Sequence, residues 1–306
     1  MINLDNLDIN SLNKMIQNID TFIFDCDGVI WNRDKLIEKS NLVIEYLNKL
    51  NKQVLFVTNS STKTSDILFD KFTSFNIPAE RKNIIHAGLA TVFYINTLNL
   101  QPKSEIYLIG SNNLYNTIMD NNIHNLIISG LEDNDKKFNN LANDNKLAKD
   151  LFNDITNNRY KAVIIGWDNY FNTFKLAKAS SILKYQKNCH FISSNNDFTA
   201  PFNENVTMPA SGSIIKSIEL SCNRKSKCVG KPSIELANYL INHFHLNPNR
   251  TCMVGDRIDS DLYFGKNANF KTLIVLSGVT SLDELKNLQI KNRPDYYSQS
   301  IMSLCQ

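Results

Sequence analysis

The sequence lacks the features that mark membrane proteins, zinc-finger domains and nucleic-acid-binding proteins. Its longest apolar runs, such as AVIIG and TLIVL, fall far short of the roughly 18 residues that cross a bilayer. Its six cysteines form no C-x-x-C pair, which argues against a structural zinc site and favours reduced thiols. The 33 basic and 30 acidic residues are nearly balanced, and no run of Lys and Arg concentrates the small excess. We therefore expect neither a membrane nor a nucleic acid among its partners.

We do not expect a secretory signal in the N-terminal segment. MINLDNLDINSL has early acidic residues, no basic stretch and no apolar core, so we expect a cytoplasmic protein. What is present is ordinary for a soluble globular chain, with 42% hydrophobic and 21% charged residues. A length of 306 residues favours two domains or one large one.

Short β-branched runs alternate with amphipathic segments along most of the chain, which predicts an α/β fold with parallel sheets. Two of the amphipathic segments, 40–50 and 233–245, place apolar residues on one helical face. Because the strands are more than one compact sheet needs, we expect two sheets. The predicted strands are 21–25, 53–58, 105–110, 125–129, 161–166, 190–193, 251–255 and 272–276.

The segment 132–146 consists mostly of Asn, Asp and Lys. It offers little apolar surface to bury, so we interpret it as a mobile surface insertion in the middle of the chain.

Two acidic residues follow the first predicted strand, in the sequence FIFDCDGVIW. Asp25 and Asp27 would lie at the carboxyl edge of the sheet, where open α/β sheets bind their ligands. Burying two carboxylates there is costly without a cation, and Mg²⁺ prefers such hard oxygen ligands. An ordinary Asp-Gly turn ending at Gly28 is the alternative interpretation.

Three more polar clusters lie in FVTNSS, VGKPS and MVGDRIDSD. The first and the third follow predicted strands, and the second precedes a predicted helix that begins at Ser233. Taken singly, they are typical of a helix N-cap, an exposed lysine and acids at a helix start. In this order along the chain, together with the two acids after the first strand, they favour a phosphate site. Their polar residues are Thr58, Asn59 and Ser60, then Lys231, then Asp256, Asp259 and Asp261.

These four motifs resemble those of the haloacid dehalogenase (HAD) superfamily of phosphatases. With GWD, SSNND and PASGSI, the chain is similar to the branch that contains phosphoglycolate phosphatase, pyridoxal phosphatase (chronophin) and 4-nitrophenylphosphatase. The resemblance implies a Rossmann-like HAD core with a parallel sheet, formed by residues 1–88 and 209–306. It also implies an inserted α/β C2-type cap domain over 89–208, which selects the substrate and forms a homodimer.

The resemblance also implies the chemistry of the motif residues. Asp25 would be the nucleophile that forms an aspartyl phosphate, and Asp27 the general acid and base. Mg²⁺ would be held by the Asp25 carboxylate, the Asp27 carbonyl and Asp256. The remaining roles would be phosphate binding by Thr58, Asn59, Ser60 and Lys231, orientation of Lys231 or a metal-bound water by Asp261, and substrate selection by Asn195, Asn196 and Asp197 within 193–202.

Several other residues are expected to be structural. Trp31 and Trp167 are interpreted as packing aromatics, and His243 and His245 as helix-end residues, because residues two apart on a helix face different directions. The acidic neighbours of Cys26 argue against a reactive thiol. Asp259 has no assigned role.

We expect a phosphomonoesterase that acts on a small phosphorylated metabolite. Phosphoglycolate is the first choice, possibly with phospholactate, and pyridoxal 5′-phosphate or a broad 4-nitrophenylphosphatase activity is the alternative. Phosphotransfer to a sugar, a slow phospho-accepting signalling module and a pseudoenzyme scaffold also remain open. A dehalogenase is disfavoured because its chemistry would leave Asp27 and Asp256 without a purpose.

Overall fold

The computed structural model describes residues 1–122, 124–138, 145–201 and 206–305. The chain divides into two compact units. We call residues 1–58, 65–86 and those from 231 onward the core unit, and residues 59–64 and 87–230 the inserted unit. Within the described ranges, no helix combines the length and the apolarity that a membrane crossing requires.

The secondary structure alternates between strands and helices, as predicted. The described strands are β1 (Ile2–Asn3), β2 (Thr21–Phe24), β3 (Trp31–Asn32), β4 (Lys35–Leu36), β5 (Gln53–Thr58), β6 (Ile84–His86), β7 (Glu105–Ile109), β8 (Ile127–Ser129), β9 (Tyr160–Ile165), β10 (His190–Ser193), β11 (Thr199–Pro201), β12 (Thr207–Pro209), β13 (Lys227–Cys228), β14 (Thr251–Gly255), β15 (Lys271–Val275) and β16 (Tyr296–Ser298). The described α-helices are α1 (Ile9–Gln17), α2 (Ser40–Lys49), α3 (Ser65–Ser74), α4 (Ala87–Thr97), α5 (Asn112–Asp120), α6 (Asn145–Thr156), α7 (Thr173–Tyr185), α8 (Ser211–Cys222), α9 (Ile234–Phe244), α10 (Tyr263–Asn267) and α11 (Leu282–Asn287).

The core unit is built on a seven-stranded parallel sheet in the order β1-β16-β15-β14-β2-β5-β6. From β2 the chain proceeds to β5 and β6 on one side, and from β14 to β15 and β16 on the other. The order therefore reverses between β2 and β14, and a parallel α/β sheet opens its ligand crevice at such a point. Every residue of β2 is buried, as expected for a central strand covered on both faces.

Helix α2 shows how the sequence pattern produces this packing. Val43, Ile44 and Leu47 recur at helical spacing and are fully buried in the same apolar cluster as Phe24 and Phe56. Each such burial contributes about 1.5–3 kcal/mol relative to an exposed side chain. The predicted helix over 40–50 is thus confirmed with its apolar face on the core.

The inserted unit has its own five-stranded parallel sheet, in the order β13-β10-β9-β7-β8. Residues 209–230 group with this unit, whereas we expected them in the core domain. The reason is the packing of α8, whose Ile214, Ile215 and Ile218 are buried in one apolar cluster with Ala179 and Ile182 of α7. The structure confirms an α/β fold with two parallel sheets.

The prediction of a mobile surface insertion over 132–146 is wrong at its N-terminal end. Asp133 is fully buried and accepts a hydrogen bond from the hydroxyl of Tyr107 at 2.9 Å. Burial raises the pKa of Asp133, but the hydrogen bond from Lys136 and the charge of Lys178 outweigh it and leave the pKa lowered. The sequence pattern predicts that Asp133 is exposed, but the side chain is buried because a tyrosine and two lysines complement its charge. Residues 139–144 lie outside the described part of the chain.

Strand β6 ends in a buried histidine, His86, which is 1% exposed. Its Nε2 lies 3.3 Å from the hydroxyl of Ser65. Burial lowers the pKa of His86 from 6.5 to about 4. Because the unfolded chain then binds the proton more tightly than the folded one, stability falls as the pH drops through this window and levels off below it.

We expect the His86→Gln variant to lose this pH dependence. Between pH 7 and about pH 4.5 the parent should lose roughly 2 kcal/mol of unfolding free energy more than the variant. Urea unfolding of both proteins at the two pH values measures the difference. An equal loss in parent and variant would mean that His86 is protonated in the folded state at little cost.

Candidate active site

The candidate site lies in the core unit, at the carboxyl ends of β2 and β14, where the strand order reverses. Asp25 directly follows β2, and its N–H donates to the carbonyl of Val254 on β14 at 2.8 Å. Asp256 directly follows β14. The register of the two strands, with Phe24 opposite Val254, brings these two carboxylates to the same point of the sheet edge.

Lys231 joins this pair from a distant part of the sequence. Its Nζ lies 2.6 Å from Oδ1 of Asp25 and 2.7 Å from Oδ1 of Asp261. The side chain is 1% exposed, although an isolated lysine after a glycine would usually face solvent. A buried ammonium needs such partners, and here it has two carboxylates.

Asp261 is held by the π-helix over Ile258–Leu262 that precedes α10. Its Oδ2 accepts hydrogen bonds from the N–H groups of Asp256 at 3.1 Å and Arg257 at 3.0 Å, while Oδ1 faces Lys231. One carboxylate thus fixes both the loop after β14 and the position of the ammonium. Single π-helical turns are frequent at functional sites.

Asp256 is seated by the backbone around it. Its Oδ2 accepts from the N–H of Val279 at 2.8 Å. A Cβ at Gly278 would stand 2.0 Å from that oxygen, and a Cβ at Gly28, which has φ +83°, would stand 2.3 Å from it. Both glycines are required for the carboxylate to fit. The sequence placed Gly28 in a possible turn and predicted the strand before Gly278, but it indicated no role for Gly278 or Val279; a polar turn after a strand would have been the signal.

The electrostatics of the cluster are those of charges removed from water. Burial raises the pKa of Asp25 well above its usual value, and the ammonium of Lys231 opposes that rise. Burial together with the charge of Asp261 raises the pKa of Asp256 to about 7. Burial alone would lower the pKa of Lys231, but the charges of Asp25 and Asp261 outweigh it and raise the pKa. Ionisation of all three carboxyls beside one ammonium would leave negative charge to be compensated.

A divalent cation fits this deficit. Carboxylate oxygens of Asp25, Asp256 and Asp261 lie within 4.8 Å of one another. Among the described residues, Oδ1 of Asp256 is buried with no hydrogen-bond partner. A buried carboxylate oxygen without a partner is costly, and a hard cation such as Mg²⁺ is the partner that its chemistry favours.

Two other predicted residues of the core unit lie at the same end of the sheet. Asp27 is exposed, two residues beyond Asp25, and its Oδ1 accepts from the indole N–H of Trp31 at 3.0 Å. Thr58 is 4% exposed and ends β5, the strand next to β2. Sequence reasoning gave Trp31 only a packing role and missed this hydrogen bond.

Asn59 and Ser60 belong to the inserted unit, where they take part in hydrogen bonds with its loops. The Asn59 side-chain amide donates to Oδ1 of Asp197 at 3.3 Å, and that of Asn195 donates to the carbonyl of Asn59 at 2.9 Å. The carbonyl of Ser60 accepts from the N–H of Ala87 at 3.1 Å. Two of the three residues that we associated with substrate selection, Asn195 and Asp197, thus hydrogen-bond to Asn59.

The remaining residues named from the sequence make local structural contacts. Asn196 accepts from the hydroxyl of Ser193 at 3.0 Å. Asp259, which had no role, pairs with Arg257 near the surface at 2.9 Å. His245 is the left-handed C-cap residue of α9, which confirms its helix-end position.

Comparison with known proteins shows the family to which the chain is similar. A family model described as haloacid dehalogenase-like hydrolase matches residues 22–124, and a second HAD-hydrolase-like model matches residues 228–304. Phosphoglycolate phosphatase 1A, chloroplastic, of Arabidopsis thaliana is 32% identical over 96% of this chain and 78% of its own length. The 4-nitrophenylphosphatase of Schizosaccharomyces pombe is 29% identical over 96% of this chain and 95% of its own length.

A solved structure shows the same fold. The glycerol phosphate phosphatase of Mycobacterium tuberculosis, crystallised in complex with magnesium, superimposes with a TM-score of 0.76 over 95% of this chain and 78% of that one, at 20% identity. Because curated relatives above 30% identity align along almost the whole chain, the kinship extends beyond the two matched segments. The protein is therefore a phosphomonoester hydrolase and belongs to the haloacid dehalogenase-like hydrolase family.

Proposed function

We propose that this phosphatase uses Mg²⁺ and an aspartyl phosphate on Asp25 to hydrolyse small phosphorylated metabolites, with 2-phosphoglycolate as its main substrate. The observation that carries the proposal is the ion-paired lysine, since Lys231 contacts both Asp25 and Asp261 inside a buried group of three carboxylates. The ammonium of Lys231 opposes the rise in the pKa of Asp25 that burial causes, and so favours the ionised carboxylate that can act as a nucleophile.

In the first half of the reaction, an Oδ atom of Asp25 attacks phosphorus and the bond from phosphorus to the leaving oxygen breaks. Asp27 gives its proton to that oxygen, so the product leaves as an alcohol. Lys231 and Thr58 bind the phosphoryl oxygens and compensate their charge.

In the second half, water attacks the phosphorus of the aspartyl phosphate. Asp27, now a carboxylate, takes a proton from the water, and the bond from phosphorus to Asp25 breaks to release phosphate. The two halves leave Asp25 and Asp27 in their starting protonation states.

Asp25, Asp256 and the main-chain carbonyl of Asp27 would hold the Mg²⁺, and Asp261 would orient Lys231 or a metal-bound water. When bound, the ion supplies positive charge that neutralises the transferring phosphoryl group. The proposal keeps the other assignments from the family resemblance, namely Asn59 and Ser60 as phosphate ligands and Asn195, Asn196 and Asp197 as substrate-selecting residues.

The choice of substrate is supported by the relatives. Phosphoglycolate phosphatase 1A of Arabidopsis thaliana shares more of this sequence than the 4-nitrophenylphosphatase of Schizosaccharomyces pombe does, at 32% against 29% identity. A cytoplasmic location and a homodimer formed through the inserted unit complete the proposal.

One assay tests this function. Phosphate release by the purified protein should be measured on 2-phosphoglycolate, 2-phospholactate, pyridoxal 5′-phosphate, glycerol 3-phosphate and 4-nitrophenyl phosphate, with Mg²⁺ and with a chelator. We expect the highest kcat/KM on 2-phosphoglycolate, by at least about tenfold, because hydrogen-bonding sites discriminate strongly among polar substrates.

The chelator should abolish phosphate release from every substrate. Activity that survives metal removal would contradict the Mg²⁺ requirement. A different compound preferred by a similar factor would replace 2-phosphoglycolate, and release from none of them would contradict the metabolite class as a whole.

A further inference from the structure

The indole of Trp31 touches the exposed carboxylate that the proposed mechanism uses twice. Trp31 is fully buried, and its Nε1–H donates to Oδ1 of Asp27 at 3.0 Å. An indole N–H is only a donor, and a buried donor needs an acceptor. Asp27 supplies that acceptor. Its side chain would otherwise rotate as surface carboxylates do, because it is exposed to solvent.

The local backbone sets this contact. The N–H of Gly28 donates to the carbonyl of Trp31 at 2.7 Å, and the N–H of Trp31 donates to the carbonyl of Cys26 at 3.2 Å. The chain therefore closes a tight turn between Asp27 and Trp31. The indole and the carboxylate are brought together by backbone hydrogen bonds, not by a chance approach of two surface side chains.

Three side chains contact the ring of Trp31. Its centroid lies 4.9 Å from that of Phe72 in an edge-to-face arrangement and 6.0 Å from that of Phe75. The ammonium of Lys71 stands 4.3 Å from the ring centroid, a cation–π distance. A ring held in this way presents its N–H in one fixed direction.

We propose that Trp31 is a positioning residue for the general acid and base, an inference that rests on the proposed role of Asp27. The N–H occupies Oδ1 and fixes the carboxylate plane, which leaves Oδ2 to exchange the proton with the leaving oxygen and then with water. General acid catalysis depends on this placement, because proton transfer requires hydrogen-bond distance to the reacting oxygen.

The test compares two leaving groups. Glycerol 3-phosphate and 2-phosphoglycolate release alkoxides, which need a proton, whereas 4-nitrophenolate leaves without one. In Trp31→Phe, kcat/KM should fall by about tenfold or more on the alkyl phosphates and by less than about threefold on 4-nitrophenyl phosphate. The quantity kcat/KM is used because it reports formation of the phosphoenzyme and not its later hydrolysis.

Two further variants separate hydrogen bonding from packing. Replacing Trp31 with 3-benzothienylalanine exchanges the N–H for sulfur at nearly constant shape, and it should show the same leaving-group dependence even if Trp31→Phe folds poorly. Phe72→Leu loosens the ring's packing but keeps the N–H, so its loss of kcat/KM on the alkyl phosphates should be smaller than that of the benzothienyl variant. Equal losses on both substrates in the benzothienyl variant would overturn the proposal.

The Asp27→Asn variant distinguishes a failure of the Trp31 inference from a failure of the proposed function. A large loss of kcat/KM on the alkyl phosphates alone supports Asp27 as the general acid. If that pattern appears in Asp27→Asn but not in the Trp31 variants, the positioning role is wrong and the proposed function stands. If kcat/KM of Asp27→Asn falls by equal factors on both substrates, the general-acid assignment itself is wrong.

Discussion

Replacing Asp25 with Asn is expected to lower the rate of phosphate release by at least about four orders of magnitude. The substitution keeps the shape of the side chain, but the amide is too weak a nucleophile to form the acyl phosphate. Lys231 retains Asp261 as its partner at 2.7 Å, so the buried ammonium stays paired and the fold should persist. Phosphate release at saturating Mg²⁺ gives the rate, and circular dichroism monitors the fold.

A matched variant makes this result specific. Asp259→Asn makes the same chemical change three residues after Asp256. The Asp259 side chain is 61% exposed and forms an ion pair with Arg257. Its activity should stay within about twofold of the parent, since exposed ion pairs contribute little. Residual activity of Asp25→Asn within tenfold of the parent would remove Asp25 from the role of nucleophile.

The second large effect is expected at Lys231. In Lys231→Met the carboxylates of Asp25 and Asp261 lose their common counter-ion while they stay buried. Removing one partner of a buried ion pair costs about 3–5 kcal/mol, and we expect a loss of that size in the unfolding free energy, measured by urea titration with a chelator present. Activity should vanish as well, because burial then raises the pKa of Asp25 unopposed and a protonated acid does not attack phosphorus.

A double variant distinguishes charge from packing. Lys231→Met with Asp261→Asn removes one of the two stranded carboxylates, so it should be more stable than Lys231→Met alone while remaining inactive. Lys286→Met, at a 59% exposed lysine, is the control and should shift stability by less than about 0.5 kcal/mol. If Lys231→Met is as stable as this control, or if the double variant is less stable than the single one, the buried charge balance described here is incorrect.

The sequence predicted the parts of this structure that local patterns determine. The eight predicted strands all appear, with ends that shift by two residues or fewer, because short apolar, β-branched runs bounded by polar residues are typical of buried strands. The short strands β6 and β16, with three residues each, were missed, because so few residues carry no recognisable periodicity. Their place is determined by the neighbouring strands with which they pair.

The candidate site also contains some residues that local sequence patterns predict and others that they do not. Asp25, Lys231, Asp256 and Asp261 each follow a strand or begin a helix in a recognisable motif, and the structure brings all four together. The N–H of Val279 and the indole of Trp31 have no such signature. Their roles arise from backbone and ring positions that only tertiary packing defines. The burial of Asp133 likewise depends on tertiary contacts with Tyr107 and Lys178.

The central claim, that Asp25 carries the phosphoryl group, is tested most directly by trapping the intermediate. In Asp27→Asn the aspartyl phosphate should accumulate, because no base activates the water that hydrolyses it. Acid quenching during turnover of 4-nitrophenyl phosphate, borohydride reduction and peptide mass spectrometry would locate the phosphorylated carboxyl as homoserine. We predict homoserine at position 25; its appearance at another acidic residue, or at none, would contradict the account.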